Sequence, residues 1–110
     1  MIGIDITDIN RFAKIVIKDF SHWSKFFTKS EWEIGFSAPD PARALAGIFA
    51  AKEAVMKASG GKLVGRFDRI QIEHEPDGKP IVKIDEKKQD NIHISISHDR
   101  DIVVAVAIKL

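Results

Sequence analysis

PARALAGIFAAKEAVMKAS, residues 41–59, is the stretch on which the fold turns. Asp40-Pro41 supplies a capping side chain and a first-turn proline, and Gly60-Gly61 supplies a stop, so the spacing predicts a helix over 41–59. Its alanines, Leu45, Ile48, Phe49, Val55 and Met56 lie nearly all round the axis, the pattern of a helix buried on most sides. Lys52, Glu53 and Lys57 interrupt the second half. At 100° per residue Leu45, Phe49, Lys52 and Met56 share one stripe, Glu53 flanks it, and Lys57 lies one turn beyond Glu53. Glu53 and Lys57 are then either an ordinary surface pair or functional groups, and so apolar a helix leaves little surface for the former.

Upstream, Met1 to Ile6 is short, apolar and β-branched and reads as a buried leading strand with one carboxylate, Asp5, inside it. Thr7 or Asp8 can cap a helix started just after the strand. Ile9, Phe12, Ala13, Val16 and Phe20 recur at helical spacing, which predicts an amphipathic first helix to about Phe20. Thr28-Lys-Ser-Glu31 has the form of a capping box and opens a short second helix that ends before Pro39. Downstream the period changes. Ile70 and Ile72 alternate with polar residues, Pro76 to Pro80 forms a turn, and Ile81 to Ile84 return as the second arm of a hairpin. After a polar connector over 85–91, Ile92, Ile94 and Ile96 alternate, Asp99 to Asp101 turns the chain, and Ile102 to Ile108 is the last strand. The class is α+β: a leading strand and helices, a long buried central helix, then a mostly antiparallel sheet.

Composition narrows the chemistry. The chain has 110 residues, 45% of them hydrophobic, enough for a single cored domain over 1–110 and too apolar for disorder. The absence of cysteine excludes a disulfide scaffold, a zinc finger and a thiol nucleophile. Seventeen Lys and Arg against sixteen Asp and Glu leave +1, too balanced for a protein that lives on nucleic-acid phosphate. No stretch has the length of a membrane span, and Asp5 breaks up the amino terminus before a signal-peptide core can form, which predicts a cytoplasmic protein. Between Asn10 and Lys29, however, Arg11, Lys14, Lys18, Lys25 and Lys29 oppose only Asp19. That stretch is either a solvated face or a docking face for an acidic partner.

Asp5 poses the sharpest question. A carboxylate inside a buried strand costs several kcal/mol unless compensated. It either caps the next element or joins Glu53 in holding a hard divalent ion such as Mg²⁺, for which two carboxylates plus substrate phosphate oxygens are the usual arrangement. His22, His74 and His93 have no metal-ligand spacing, and Ser95 and Ser97 no paired base. Trp23, Trp32, Phe26 and Phe27 read as core or interface. His98, at the end of the isoleucine face, is a satisfied core histidine on pattern alone.

Three motifs together resemble a known family. Gly3-Ile-Asp-Ile-Thr-Asp-Ile9 with Arg11, Leu45-Ala-Gly-Ile-Phe-Ala-Ala-Lys-Glu-Ala54 with Lys57-Ala58, and Ser95-Ile-Ser-His98 look like holo-acyl-carrier-protein synthase, the small trimeric branch of the 4′-phosphopantetheinyl transferases. The resemblance runs essentially from residue 1 to 110. It implies that Asp5 and Glu53 are Mg²⁺ carboxylates and that Lys57 lies near the diphosphate of coenzyme A. It also implies that Lys52, Gly60 and His98 belong to the coenzyme A site, and that Arg11 meets the acidic acyl carrier protein; Lys14 and Lys18 of the same basic stretch extend that expected docking face. The activity it implies is transfer of 4′-phosphopantetheine from coenzyme A to a carrier serine, by a homotrimer with sites between subunits. Departures lie at Ile48, where the family often has arginine, and at Gly61 and Lys62, where its Gly-Thr-Gly is altered. The rival readings are a carrier-binding module without catalysis and a small nucleotide- or RNA-binding domain. The latter wants a phosphate loop or exposed aromatic strands that this chain lacks.

Overall fold

The computed structural model describes residues 1–110. Two three-stranded antiparallel sheets and three helices are present. The first sheet has the order β1-β6-β5, from Ile2–Asp8, Ile102–Lys109 and Ile92–Asp99. The second has the order β2-β3-β4, from Ile70–His74, Pro80–Ile84 and Lys87–Lys88. Helix α1 is one turn, Phe20–Trp23; α2 is Lys29–Ser37; α3 is Pro41–Ala58. No helix is long and apolar enough to cross a membrane.

Helix α3 is the centre, as its sequence predicts. Asp40 accepts from the Arg43 backbone N–H at 3.2 Å, Pro41 opens the first turn, and Gly60 ends it at φ 68°. Ala46, Ala50, Ala51, Ala54 and Ala58 are fully buried, as are Ala105 and Ala107 of β6, so helix and sheet meet through small side chains. Contact is closest at Gly3, where a Cβ would stand 2.1 Å from the Ala54 carbonyl oxygen and 2.8 Å from the Ala58 nitrogen. No side chain fits there.

Helix α2 has its capping box, Thr28 Oγ1 accepting from Glu31 N at 3.2 Å and Glu31 Oε1 from Thr28 N at 2.9 Å. Glu31 does more than cap. It is wholly buried, Oε1 also accepts from Lys52 Nζ at 2.7 Å, and Oε2 accepts from the Ile72 backbone N–H at 2.7 Å. One carboxylate thus joins α2, α3 and β2. Burial pulls the Lys52 ammonium below its ordinary pKa, against the opposing charge of Glu31.

Two expectations change. The long first helix does not form. In its place are 3₁₀ turns at Ile9–Phe12 and Ile17–Asp19, with Asp8 as the cap of the first, its carboxylate accepting from Asn10 N at 2.9 Å. Val16 is extended, at φ −117° and ψ 159°, within the β-branched run Ile15-Val-Ile17, which resists helix. The indole N–H of Trp32 donates to the Ile17 carbonyl at 2.8 Å and holds the chain in that path. The leading strand is buried on one face only. Gly3, Asp5 and Thr7 face α3, whereas Ile2, Ile4 and Ile6 are 69%, 59% and 65% exposed. Trp23, Phe26, Phe27 and Trp32 join Phe12, Phe49 and Phe67 in an aromatic cluster under α3, as a core reading requires.

Gly3→Ala is expected to lower stability by about 3 kcal/mol, the upper end for an added methyl that meets backbone rather than a yielding side chain. A denaturant midpoint within experimental scatter of the unmodified chain contradicts so tight a seam.

Candidate active site

The seam between β1 and α3 carries the polar groups that the fold leaves in reach of solvent. Asp5 stands at the middle of β1 on the inner face, its side chain 15% exposed. The Thr7 hydroxyl donates to Asp5 Oδ2 at 2.8 Å. Lys57 Nζ lies 3.5 Å from Asp5 Oδ1 and donates to the Ile4 carbonyl at 2.8 Å. Glu53, one helical turn before Lys57, is half-buried beside them. Its carboxyl is held above the ordinary range, first by burial and then by the negative charge of Asp5, with Lys57 and Arg11 pulling the other way. Arg11 reaches this place by lying 4.8 Å from the centre of the Phe49 ring, a cation–π contact that fixes a long side chain.

Two neighbouring carboxylates, the charge of Asp5 opposing the ionisation of Glu53, with Lys57 alongside, form a hard-oxygen donor pair. The set fits Mg²⁺, which takes one or two protein carboxylates and fills its remaining positions with water and substrate phosphate. No third acidic, His or Cys side chain joins them as a protein-only metal cage.

The second polar cluster lies at the other end of α3. His98 is exposed, against the core-histidine reading, and its Nε2 is 3.0 Å from Arg43 Nη1. Arginine only donates, so in this contact Nε2 is the acceptor. The two groups line a cleft of about 340 Å³ with Ile34, Ile48, Ile96 and His74. Ten residues of helix, about 15 Å, separate Arg43 from Glu53. A larger depression of about 720 Å³ is lined by Arg66, Asp68, Arg69 and Asp85. There the arginines are spent in bidentate pairs, Arg66 with Asp68 and Arg69 with Asp85.

The match to known proteins covers nearly the whole chain. The family model described as 4′-phosphopantetheinyl transferase superfamily aligns with residues 1–107. The chain belongs to that family. It is therefore an enzyme of the transferase class. It is 41% identical to the holo-[acyl-carrier-protein] synthase of Geobacillus sp. (strain WCH70), over 97% of this chain and 92% of that protein. The Helicobacter pylori holo-[acyl-carrier-protein] synthase, solved in complex with coenzyme A, superposes with a TM-score of 0.82 at 30% identity, covering 100% of both chains. The Bacillus anthracis synthase, in complex with CoA (3′,5′-ADP), gives 0.75 at 33% identity, over 96% of this chain and 91% of that one.

Set against the resemblance, the structure gathers Asp5, Glu53 and Lys57 and adds Arg11 to them. It does not bring His98 to them within one chain. Lys52 needs correction as a coenzyme A contact: with no exposed surface and its ammonium on Glu31, it points into the core. Gly60 serves as the left-handed helix terminator and is exposed, with Lys62 close by in sequence and exposed too. Sequence reasoning passed over Arg43, whose only signal was to be the lone cation in the first half of α3. It also passed over Thr7 as the hydroxyl that orients Asp5.

Because the folded-state pKa of Glu53 is raised, its ionisation opposes folding once the pH passes the unfolded carboxylate value, about 4.3. Glu53→Gln is therefore expected to raise the thermal midpoint at neutral pH without divalent ions, and to lose that gain below about pH 4. Melting curves that show Glu53→Gln less stable at neutral pH contradict the crowded-carboxylate reading.

Proposed function

We propose that this chain transfers 4′-phosphopantetheine from coenzyme A to a serine of apo-acyl carrier protein and releases adenosine 3′,5′-bisphosphate. The observation that carries the reading is the Asp5, Glu53 and Lys57 cluster on the β1–α3 seam of a chain in this family. The reaction is displacement at the phosphorus nearer the pantetheine, and that phosphorus is ringed by anionic oxygens. Asp5 and Glu53 would hold Mg²⁺, which when bound offsets that negative charge. Thr7 keeps Asp5 in one orientation. Lys57, half-exposed and tethered to the Ile4 carbonyl, offers a cation to the diphosphate as charge builds on the leaving oxygen. The serine proton goes to Glu53 or to water.

His98 and Arg43 give the donor's phosphorylated nucleoside an anion-binding end, with the isoleucines of the same cleft as an apolar wall. The distance from Glu53 supports a site completed by a neighbouring copy. So does the outer face of the first sheet, where Ile2, Ile4, Ile6 and Ile108 are exposed side by side. The reading is thus of a homotrimer in the cytoplasm, each copy one domain over residues 1–110. The carrier docks on the basic face of Lys14 and Lys18, where Val16 and Ile17, 47% and 60% exposed, add an apolar patch. Arg11 is turned toward Glu53 and so stands between that face and the site.

Mass spectrometry of apo-acyl carrier protein, incubated with coenzyme A, Mg²⁺ and this protein, is the direct test. Gain of one phosphopantetheine supports the reading, and an unmodified carrier that nonetheless binds the protein favours a module without catalysis. Glu53→Gln and Asp5→Asn are each expected to slow transfer by about 100-fold or more, the scale of removing a major charge stabiliser. Lys14→Glu with Lys18→Glu is expected to raise the KM for the carrier several-fold and leave that for coenzyme A unchanged. Added salt should narrow the difference, because the lost interaction is a screened one. A salt-independent defect, or one felt equally by both substrates, removes this face from docking.

A further inference from the structure

The wholly buried pair of Glu31 and Lys52 takes no part in the chemistry of the seam, although Lys52 is next to Glu53 in sequence. Consecutive helical residues point 100° apart, so fixing Lys52 toward α2 and β2 fixes Glu53 toward β1. Ala46, Ala50, Ala51, Ala54 and Ala58, with Leu45, Phe49 and Val55, pack the rest of the buried α3 surface, and such apolar contacts carry no directional bond. Of the side-chain hydrogen bonds from α3 to other elements, those of Arg43 and Lys57 are exposed, and that of Lys52 to Glu31 at 2.7 Å is buried. Glu31 cannot follow a rotating helix, because the backbone N–H groups of Thr28 and Ile72 hold its two oxygens.

We infer that Glu31 and Lys52 are positioning residues of the reaction, their buried ion pair setting the rotation of α3 that holds Glu53 against Asp5. The inference rests on the transferase reading above. Side chains reach about 5–6 Å from a helix axis, so a rotation of about 10° displaces the Glu53 carboxylate by about 1 Å. A misplacement of that size can slow an enzyme by about 100-fold without touching its binding of substrate.

The test separates positioning from stability. Lys52→Met alone leaves a buried carboxylate unpaired and is expected to melt early. Glu31→Gln with Lys52→Met removes both charges at similar volume, but turns the amide NH2 toward the backbone N–H of Thr28 or Ile72, and is expected to recover part of the thermal midpoint that Lys52→Met loses. The transfer rate is expected to stay down by about 10- to 100-fold in the double variant, with the KM for coenzyme A within about twofold. Mg²⁺ titrated by calorimetry in the presence of coenzyme A, without carrier, should bind more weakly. Glu31→Asp, which keeps the charge and shortens the reach, should show the same division between kcat and KM if the double variant does not fold. A rate restored to within about twofold together with the midpoint means that the pair only stabilises the fold, and overturns the inference. An unmodified chain that transfers nothing overturns the functional reading first, a result distinct from variants that match an active parent.

Discussion

The carboxylate of Glu31 is the constraint to which most of this structure answers. It has no exposure to water, and a charge so placed survives only if every oxygen is engaged. Lys52 and the amides of Thr28 and Ile72 do this, drawn from two helices and the second sheet. Loss of either charged partner strands the other, at a cost of about 3–5 kcal/mol. That is a large share of the stability of a domain this size. The pair adds direction where apolar packing supplies only cohesion. The seam on the opposite side of α3, where Gly3 lets β1 lie against the helix backbone, inherits its geometry from it.

What the sequence makes legible is local. Asp40-Pro41 and Gly60-Gly61 frame α3, Thr28 and Glu31 frame the start of α2, and alternation over 92–96 and 102–108 marks strands that pair as antiparallel neighbours. Asp5 and Glu53 stand out because each is a carboxylate in apolar company. What stays hidden is non-local. The run from Ile9 to Phe20 has helical spacing, yet three β-branched residues and one bond from Trp32 to Ile17 break it at Val16 into two separate 3₁₀ turns. Lys52 shares the apolar stripe of Leu45, Phe49 and Met56 while Lys57 lies about 140° round the helix, but that Lys52 is wholly buried on Glu31 follows only from the placement of α2. Arg43 and His98, 55 residues apart, meet only because α3 crosses the sheet. Ile2, Ile4 and Ile6 read as buried because isoleucine usually is, and the fold of one chain does not bury them.

Two polar clusters stand toward opposite ends of α3. One presents carboxylates and a lysine, the other an arginine with an imidazole beside an apolar cleft. In the proposed reaction the first would serve chemistry on a charged phosphorus and the second would hold a large, partly aromatic donor. The alanine-rich middle of the helix is the rigid spacer between them.

The pairing of β1 with β6 has a consequence for how the chain reaches this state. Ile2 lies opposite Ile108, and the Met1 amino group donates to the Lys109 carbonyl at 2.8 Å. The first strand of the fold is therefore completed by the last one in sequence order. Until then its isoleucines have no sheet to belong to, and α3 has no floor on which to settle. Such sequence-distant closure favours slow, late folding, with an unpaired sticky edge exposed in the meantime. The hairpins and the α2 cap close over a few residues, whereas the β1–α3 seam needs both ends of the domain in place.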